Sequence, residues 1–451
     1  MAKKSVRIGA GAGMADDRVP PAVDLVERGD LDYLVFECLA ERTIAREALD
    51  RTKDPERGYT PGMLPRMEAV LPSALKRGVR IVTNMGAANP RAAARALLKA
   101  APKWGVKDLS CAVVLGDDVT ELLREHSDLP LMEDGAPLES ILPRMASANA
   151  YLGGDVVREA LQTGAPVVLT GRVSDPSLFV GPVLHHLGWS YDNLDHLAVA
   201  TVTGHLLECS SQVSGGCFAD PGRKEVPNLA DLGYPLADVS DDGTIVVGKT
   251  PGSGGRVSAA ICTEQLLYEM HDPASYITPD CILDITDVHL REVETDRVSI
   301  MGARARARTP TLKVVVGYFD GYIGSGEITY GGINAVARAK QSIELVKERL
   351  RRRGFTYVDF RVDLIGMNSL LGDAGSISNM EPSEVRLRMA GRAESRTAAE
   401  AVGSEVRSLH LHGPGSGGGG INYGAREVLA VKSVLLPRHL VKPEVVVETM
   451  Q

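Results

Sequence analysis

With 451 residues and 48.1 kDa the chain is too long for one ordinary core, which excludes a miniprotein or a single small binding module. The charges, 50 Lys and Arg against 58 Asp and Glu, leave a net of -8 and no basic field for a phosphate backbone, so nucleic acid is not expected as a partner. No apolar run approaches the about 18 residues of a membrane span, and the N-terminus lacks a signal-peptide pattern, so the expected compartment is the cytoplasm. The 47 glycines are clustered, and clustered glycine marks places where backbone turns sharply or approaches a ligand. The six cysteines form no C-x-x-C pair, which argues against a disulfide framework or zinc ribbon.

In chain order, Val6-Arg-Ile reads as a strand entering the turn Gly9-Ala-Gly11-Ala-Gly13, followed by a helix over 20–28 and the strand 33–36. Strands at 80–83 and 111–115 follow, the first ending at Asn84, with an Ala-rich helix at 91–101 between them. A helix over 138–152, a second over 154–163 and an apolar strand at 165–170 complete the pattern. Short apolar strands alternating with helices predict an α/β core with a mostly parallel sheet and flanking helices over residues 1–222. Ligands are then expected beyond the C-terminal strand ends. From 223 to 451 turn-rich strands and one long helix at 332–353 predict a mixed α+β lobe that can interleave with the core.

Two glycine motifs resemble nucleotide loops. At 9–13 the strand–turn–helix context suits a dinucleotide, with Glu37 as the ribose-binding acid, but Met14 stands where the third glycine belongs and Asp16-Asp17 would oppose a pyrophosphate. A substrate-lining or purely structural turn competes with that reading. Gly243-Thr-Ile-Val-Val-Gly248-Lys249-Thr250 matches the Walker pattern in letters, yet its centre has to be strand.

The stronger signals are polar. Thr170-Gly-Arg172-Val-Ser-Asp175 erupts directly after an apolar strand, where Arg172 suits a carboxylate or phosphate and Asp175 suits a base. A structural Arg–Asp pair or a helix cap fits the same residues. In Gly204-His205-Leu-Leu-Glu208-Cys209, helical spacing puts His205, Glu208 and Cys209 on one face. Three readings stay open: an acid/base pair, a packed helix end, or a metal site completed by Cys217 or Asp220. Gly215-Gly216, Gly324 to Gly332 and the cluster at 413–420, with Ser416 and Gly417, read as helix-flanking turns whose amides could meet an anion.

The segments 170–175 and 204–209 with Gly215-Gly216, Glu264-Gln-Leu-Leu-Tyr268 with Asp272-Pro273 and Pro279-Asp280, and the glycines at 413–420 together resemble the acyclic terpene utilization protein A family, from about Ser5 to about Leu435. The resemblance implies a catabolic setting with branched or unsaturated acyl-CoA or carboxylate substrates, and does not imply a particular reaction. It also implies a small ferredoxin-like domain that many relatives carry at the C-terminus or encode separately. Here that domain is expected as a separate partner subunit and not as a C-terminal domain.

The combined expectation is a catabolic enzyme, a homo-oligomer without cofactor or metal, that hydrates, dehydrates or hydrolyses such a substrate. His205, Glu208 and Asp175 would move protons, with Arg172, Gly11, Gly13, Asn84, Gly215, Gly216, Ser416 and Gly417 binding substrate. The alternatives are an NAD(P)-dependent oxidoreductase built on the 9–13 turn and a non-catalytic acyl-CoA-binding subunit.

Overall fold

The computed structural model describes residues 4–372, 382–415, 417–418 and 422–450. The chain divides into two compact units, Met1–Gly317 with Val431–Gln451, and Tyr318–Ala430.

The first unit begins β1 (Ser5–Ala12), α1 (Pro20–Arg28), β2 (Tyr33–Phe36), α2 (Glu41–Lys53), α3 (Met63–Arg77), β3 (Arg80–Thr83), α4 (Pro90–Ala100), β4 (Ser110–Leu115) and α5 (Thr120–Arg124). The strands are short because they are apolar on both faces: every side chain of Tyr33-Leu-Val-Phe36 is buried. Helix boundaries follow local chemistry. Pro90 opens α4 behind Asn89, whose side chain accepts from the Ala92 amide, and Gly78 closes α3 at φ 74°. Next come β5 (Met145–Ala150), α6 (Gly154–Gln162), β6 (Val167–Leu169), α7 (Ser177–Leu187) and α8 (Leu194–Leu207). The helix predicted over 138–152 is absent. Two short 3-10 turns and β5 stand in its place, because Pro143 interrupts helical bonding and the small residues Ala148 and Ala150 pack in extended form beside α2.

The change of pattern near residue 222 falls inside this unit. β7 (Pro235–Ser240), β8 (Ile245–Lys249), α9 (Ala259–Leu267), β9 (Tyr276–Ile277), β10 (Ile282–Asp284), β11 (His289–Glu294), β12 (Arg297–Met301) and β13 (Arg304–Arg306) follow. The main sheet has ten strands in the order β11-β12-β8-β7-β1-β2-β3-β6-β4 and then Glu444–Thr449. β1, β2, β3, β6 and β4 are parallel; β7 and Glu444–Thr449 flank them antiparallel. Because β6 inserts between β3 and β4, the winding reverses there, and such a reversal opens a crevice at the C-terminal strand ends. The expected α/β core is therefore present, with later strands extending the same sheet.

The second unit is built from most of β14 (Thr311–Gly331), α10 (Ala335–Arg352), β15 (Asp359–Ile365), β16 (Glu384–Ala393), α11 (Arg396–His412) and part of β17 (Tyr423–Pro437). Its strand order β15-β16-β14-β17, antiparallel between β15, β16 and β14, is the split β-α-β-β-α-β arrangement of ferredoxin-like folds. A unit of that topology thus lies within the lobe. The turn predicted at Gly324 to Gly332 is mostly strand, paired with β16 through Gly331. Glycine is needed there for a different reason: a Cβ at Gly324 would lie 1.7 Å from the Ala399 carbonyl oxygen of α11.

Candidate functional site

At the C-terminal ends of the parallel strands, four consecutive tips present polar side chains. Glu37 follows β2, Asn84 follows β3, Asp117 follows β4 and Arg172 follows β6, and all four are buried. Asn84 ties two of these tips together: its Nδ2 donates to Glu37 Oε1 at 2.9 Å and its Oδ1 accepts from the Cys38 amide at 2.8 Å. Asp117 Oδ2 accepts from the Arg172 amide and from Asn149 Nδ2, each at 2.9 Å.

Arg172 is the centre of the arrangement. Its side chain is 1 % exposed, Nη2 donates to Asp175 Oδ1 at 2.7 Å, Nη1 donates to the Leu39 carbonyl, and the guanidinium lies 4.1 Å from the Tyr151 ring centroid. Lys313 covers the same ring at 4.9 Å, and Glu41 accepts from both the Tyr151 hydroxyl and Lys313. These groups border a cavity of about 370 Å³ whose polar wall includes Arg172, Asp175, Glu41, Lys313, Glu269 and Tyr276. Met132, Ile277, Leu312 and Leu435 supply an apolar wall opposite in character, and Met132, Ile277 and Leu435 are exposed.

The charges sort by environment. Burial pushes the Glu37 carboxyl up to about 8, helped by repulsion from Asp175 and opposed by Arg172. Burial also raises Asp117, to about 6, against the hydrogen bonds it accepts. For Glu41 burial works against the charge, but Tyr151, Arg172 and Lys313 outweigh it and hold the pKa at about 2. Enclosure raises the pKa of Asp175, with Arg172 pulling the other way. The site therefore holds a fixed anion, Glu41, beside two carboxyls, Glu37 and Asp117, raised toward neutral pH.

His205 and Glu208 form a second pair. At the end of α8 His205 Nδ1 lies 2.8 Å from Glu208 Oε1, and Nε2 lies 3.0 Å from the Leu266 carbonyl oxygen. Both ring nitrogens face acceptors, so the pair keeps one mobile proton between Nδ1 and Oε1. Burial opposes the charged imidazolium, yet Glu208 outweighs it and the His205 pKa is raised. Burial pushes Glu208 up to about 7, with His205 opposing, and its Oε2 is buried without a partner. The pair does not border the cavity; the His205 ring lies 4.9 Å from that of Tyr276, which does.

Of the residues expected from sequence, the structure thus brings Arg172 and Asp175 to the cavity, and Asn84 to the strand tips beside them. The glycines serve packing. A Cβ at Gly11 would meet the Phe36 ring at 2.5 Å, and one at Gly13 would meet the Cys209 backbone at 2.6 Å. Gly215 ends a 3-10 turn at φ 109°, Gly216 lies against Ser211, and Gly417 belongs to the second unit against Ile328. Ser416 lies outside the described residues. The Gly13 amide donates to Asp17 Oδ2 at 3.0 Å, so a carboxylate already occupies the donor that a pyrophosphate would need. Lys249 is on a strand and bound to Ser253 and Asp296. Among the described residues, no group of three or more His, Cys, Asp or Glu side chains is disposed to hold a metal ion.

Sequence reasoning missed Asp117, Glu41, Tyr151, Lys313, Glu269 and Tyr276. Asp117 was within reach, since it follows an apolar strand just as Arg172 does. Glu41 and Lys313 are 272 residues apart and no local pattern joins them.

Among the described residues no helix is long and apolar enough to cross a membrane. No curated protein and no solved structure matched the chain. The family model of the acyclic terpene utilisation family protein AtuA matches residues 6–447. That match spans almost all of the 451 residues, both units included, and the chain accordingly belongs to the acyclic terpene utilisation family AtuA.

Proposed function

We propose that the cavity is the active site of a catabolic enzyme that adds water to, or removes it from, a small branched or unsaturated acyl substrate, a coenzyme A thioester or a carboxylate. The observation that carries this reading is the state of Asp175. One oxygen is held by Arg172, the side chain is 36 % exposed within the cavity lining, and enclosure raises its pKa against the pull of Arg172. Arg172, which already holds Asp175 and the Leu39 carbonyl, positions Asp175 and the strand tips in this reading. Lys313, 40 % exposed, is the cation that meets the acyl oxygen or carboxylate. The apolar wall of Met132, Ile277, Leu312 and Leu435 takes the hydrocarbon part. His205 and Glu208 serve behind Tyr276 as a buried proton reserve, not as groups in contact with substrate.

In the dehydration direction Asp175 serves in turn as base and acid: it removes a proton from carbon and passes that proton to the departing hydroxyl, which leaves as water. A nicotinamide cofactor at the 9–13 turn is disfavoured by Asp17 on the Gly13 amide. The test is a screen of enoyl and hydroxyacyl thioesters and free acids, read by thermal stabilisation and by exchange of solvent ¹⁸O. Stabilisation with exchange that is lost in Asp175→Asn supports the reading. Stabilisation without exchange in the wild type points instead to a binding subunit.

A further inference from the structure

The opposite end of the same parallel strands carries a second cluster, made of bases. Arg80 is the first residue of β3, Tyr33 the first of β2, and Lys4 directly precedes β1. His185 and His186 end α7, and Arg158 lies on α6. Arg80 Nη2 donates to the carbonyls of Leu161 and Ala165 at 2.8 and 2.9 Å, and Nη1 lies 3.3 Å from His185 Nε2. His186 packs edge-on against Tyr33 at 5.8 Å.

The cluster lacks a counter-charge. Neither Arg80 nor Arg158 forms an ion pair among the described residues, and the Nε of each is buried without a hydrogen-bond acceptor. Burial lowers the pKa of His185, and Arg80, Arg158, His186 and Lys4 push it the same way. Carboxylates beside these elements are engaged elsewhere: Asp32 accepts from the Arg7 amide, Asp241 from the Lys4 amide, and Asp155, three residues before Arg158, pairs with Arg308. In a chain of net charge -8, bases gathered without an acid repel one another, and an anion placed among them relieves that repulsion.

We propose that Arg80, Arg158, His185, His186 and Lys4 form a binding site for a phosphate group, at the end of the sheet away from the cavity. Phosphate suits the donors: Arg158 offers a guanidinium fork with paired N–H groups, Arg80 adds a second positive charge beside it, and a compact dianion can be met by imidazole and ammonium at the same time. The bases of α6, α7 and β3 are half-buried, so the site fits a single phosphate group better than an extended polyanion. Free phosphate and a phosphorylated metabolite share this chemistry.

The test is calorimetric titration of the full chain with inorganic phosphate and with glycerol 3-phosphate, in chloride buffer of matched ionic strength, with the imidazole resonances of His185 and His186 followed by NMR. Saturable binding of either ligand that raises the His185 pKa, and that weakens at least tenfold in Arg80→Met and in Arg158→Met, is the expected result. Preference for glycerol 3-phosphate would assign the site to a phosphorylated metabolite, and preference for phosphate to the free anion. Arg304→Met, which removes an exposed arginine paired with Asp287, should leave affinity unchanged. If Arg80→Met fails to fold, Arg158→Gln carries the test, because no hydrogen bond or ion pair holds Arg158 among the described residues. Absence of saturable binding, or equal affinity in the folded arginine variants, would overturn the proposal.

Discussion

The two ends of the parallel strands hold the same residue type in opposite circumstances. Arg172 at the C-terminal end is enclosed by Asp175, Glu37 and Glu41, with a hydrogen bond on each Nη; Arg80 at the N-terminal end meets carbonyls, a histidine and the Tyr33 phenol. In the first place acids outnumber bases and their proton affinities are spread apart; in the second place bases stand without acids. The difference teaches that the strand ends are not equivalent surfaces. Where the loops diverge the fold can collect groups from distant parts of the chain, and the collected charges adjust one another. At the other end the residues are held by short connections, and the charge stays unanswered.

The largest effect that would sharpen this contrast lies in catalysis. Asp175→Asn keeps the shape and the Arg172 contact but removes the titrating group, so turnover of any substrate found by the exchange screen should fall by about 100- to 10,000-fold with little change in melting temperature. Full retention of activity would remove Asp175 from the mechanism. Next in size is stability. Arg172→Met strips a buried cation from its carboxylates and should cost roughly 3–5 kcal/mol in urea unfolding. Arg80→Met leaves no carboxylate behind, only the carbonyls of Leu161 and Ala165, and should cost less, about 1–3 kcal/mol. Equal losses in the two variants would break the comparison, for then both arginines would be merely packed side chains.

How far the sequence foretold this depends on whether the cause was local. The strands 33–36 and 80–83 and the helix 20–28 were legible to the residue, because an unbroken apolar run and a Pro opening act within a few positions. Arg172 and Asp175 were legible because polarity breaks out right after such a run. The His205–Glu208 bond was legible from helical spacing, but its place behind Tyr276 was not, since Tyr276 arrives from a strand 71 positions beyond His205. Glycine misled for a physical reason. At Gly13 and Gly324 the missing Cβ admits another chain segment, and a sequence displays the missing side chain without displaying what comes to fill the space.

The last contrast concerns pH, and it has opposite signs at the two ends. Glu37 titrates at about 8 in the folded chain and near its ordinary 4.5 when unfolded. Between those values the native state binds the extra proton, so its contribution to stability is lost as pH rises. Glu37→Gln should therefore flatten the alkaline decline of the urea midpoint between about pH 5 and 8. His185 behaves the other way: its pKa lies below the ordinary 6.5, so the unfolded chain takes up a proton first and stability falls as pH drops through that region. His185→Gln should flatten the acid side only, by a few tenths of a kcal/mol at most, because a half-exposed imidazole is well screened. Saturating phosphate should do the same in the wild type, since an anion beside His185 raises its pKa back toward the unfolded value. Acid-side curves that overlay with and without phosphate, while Glu37→Gln flattens the alkaline side, would leave the carboxyl end as described and remove the anion from the other.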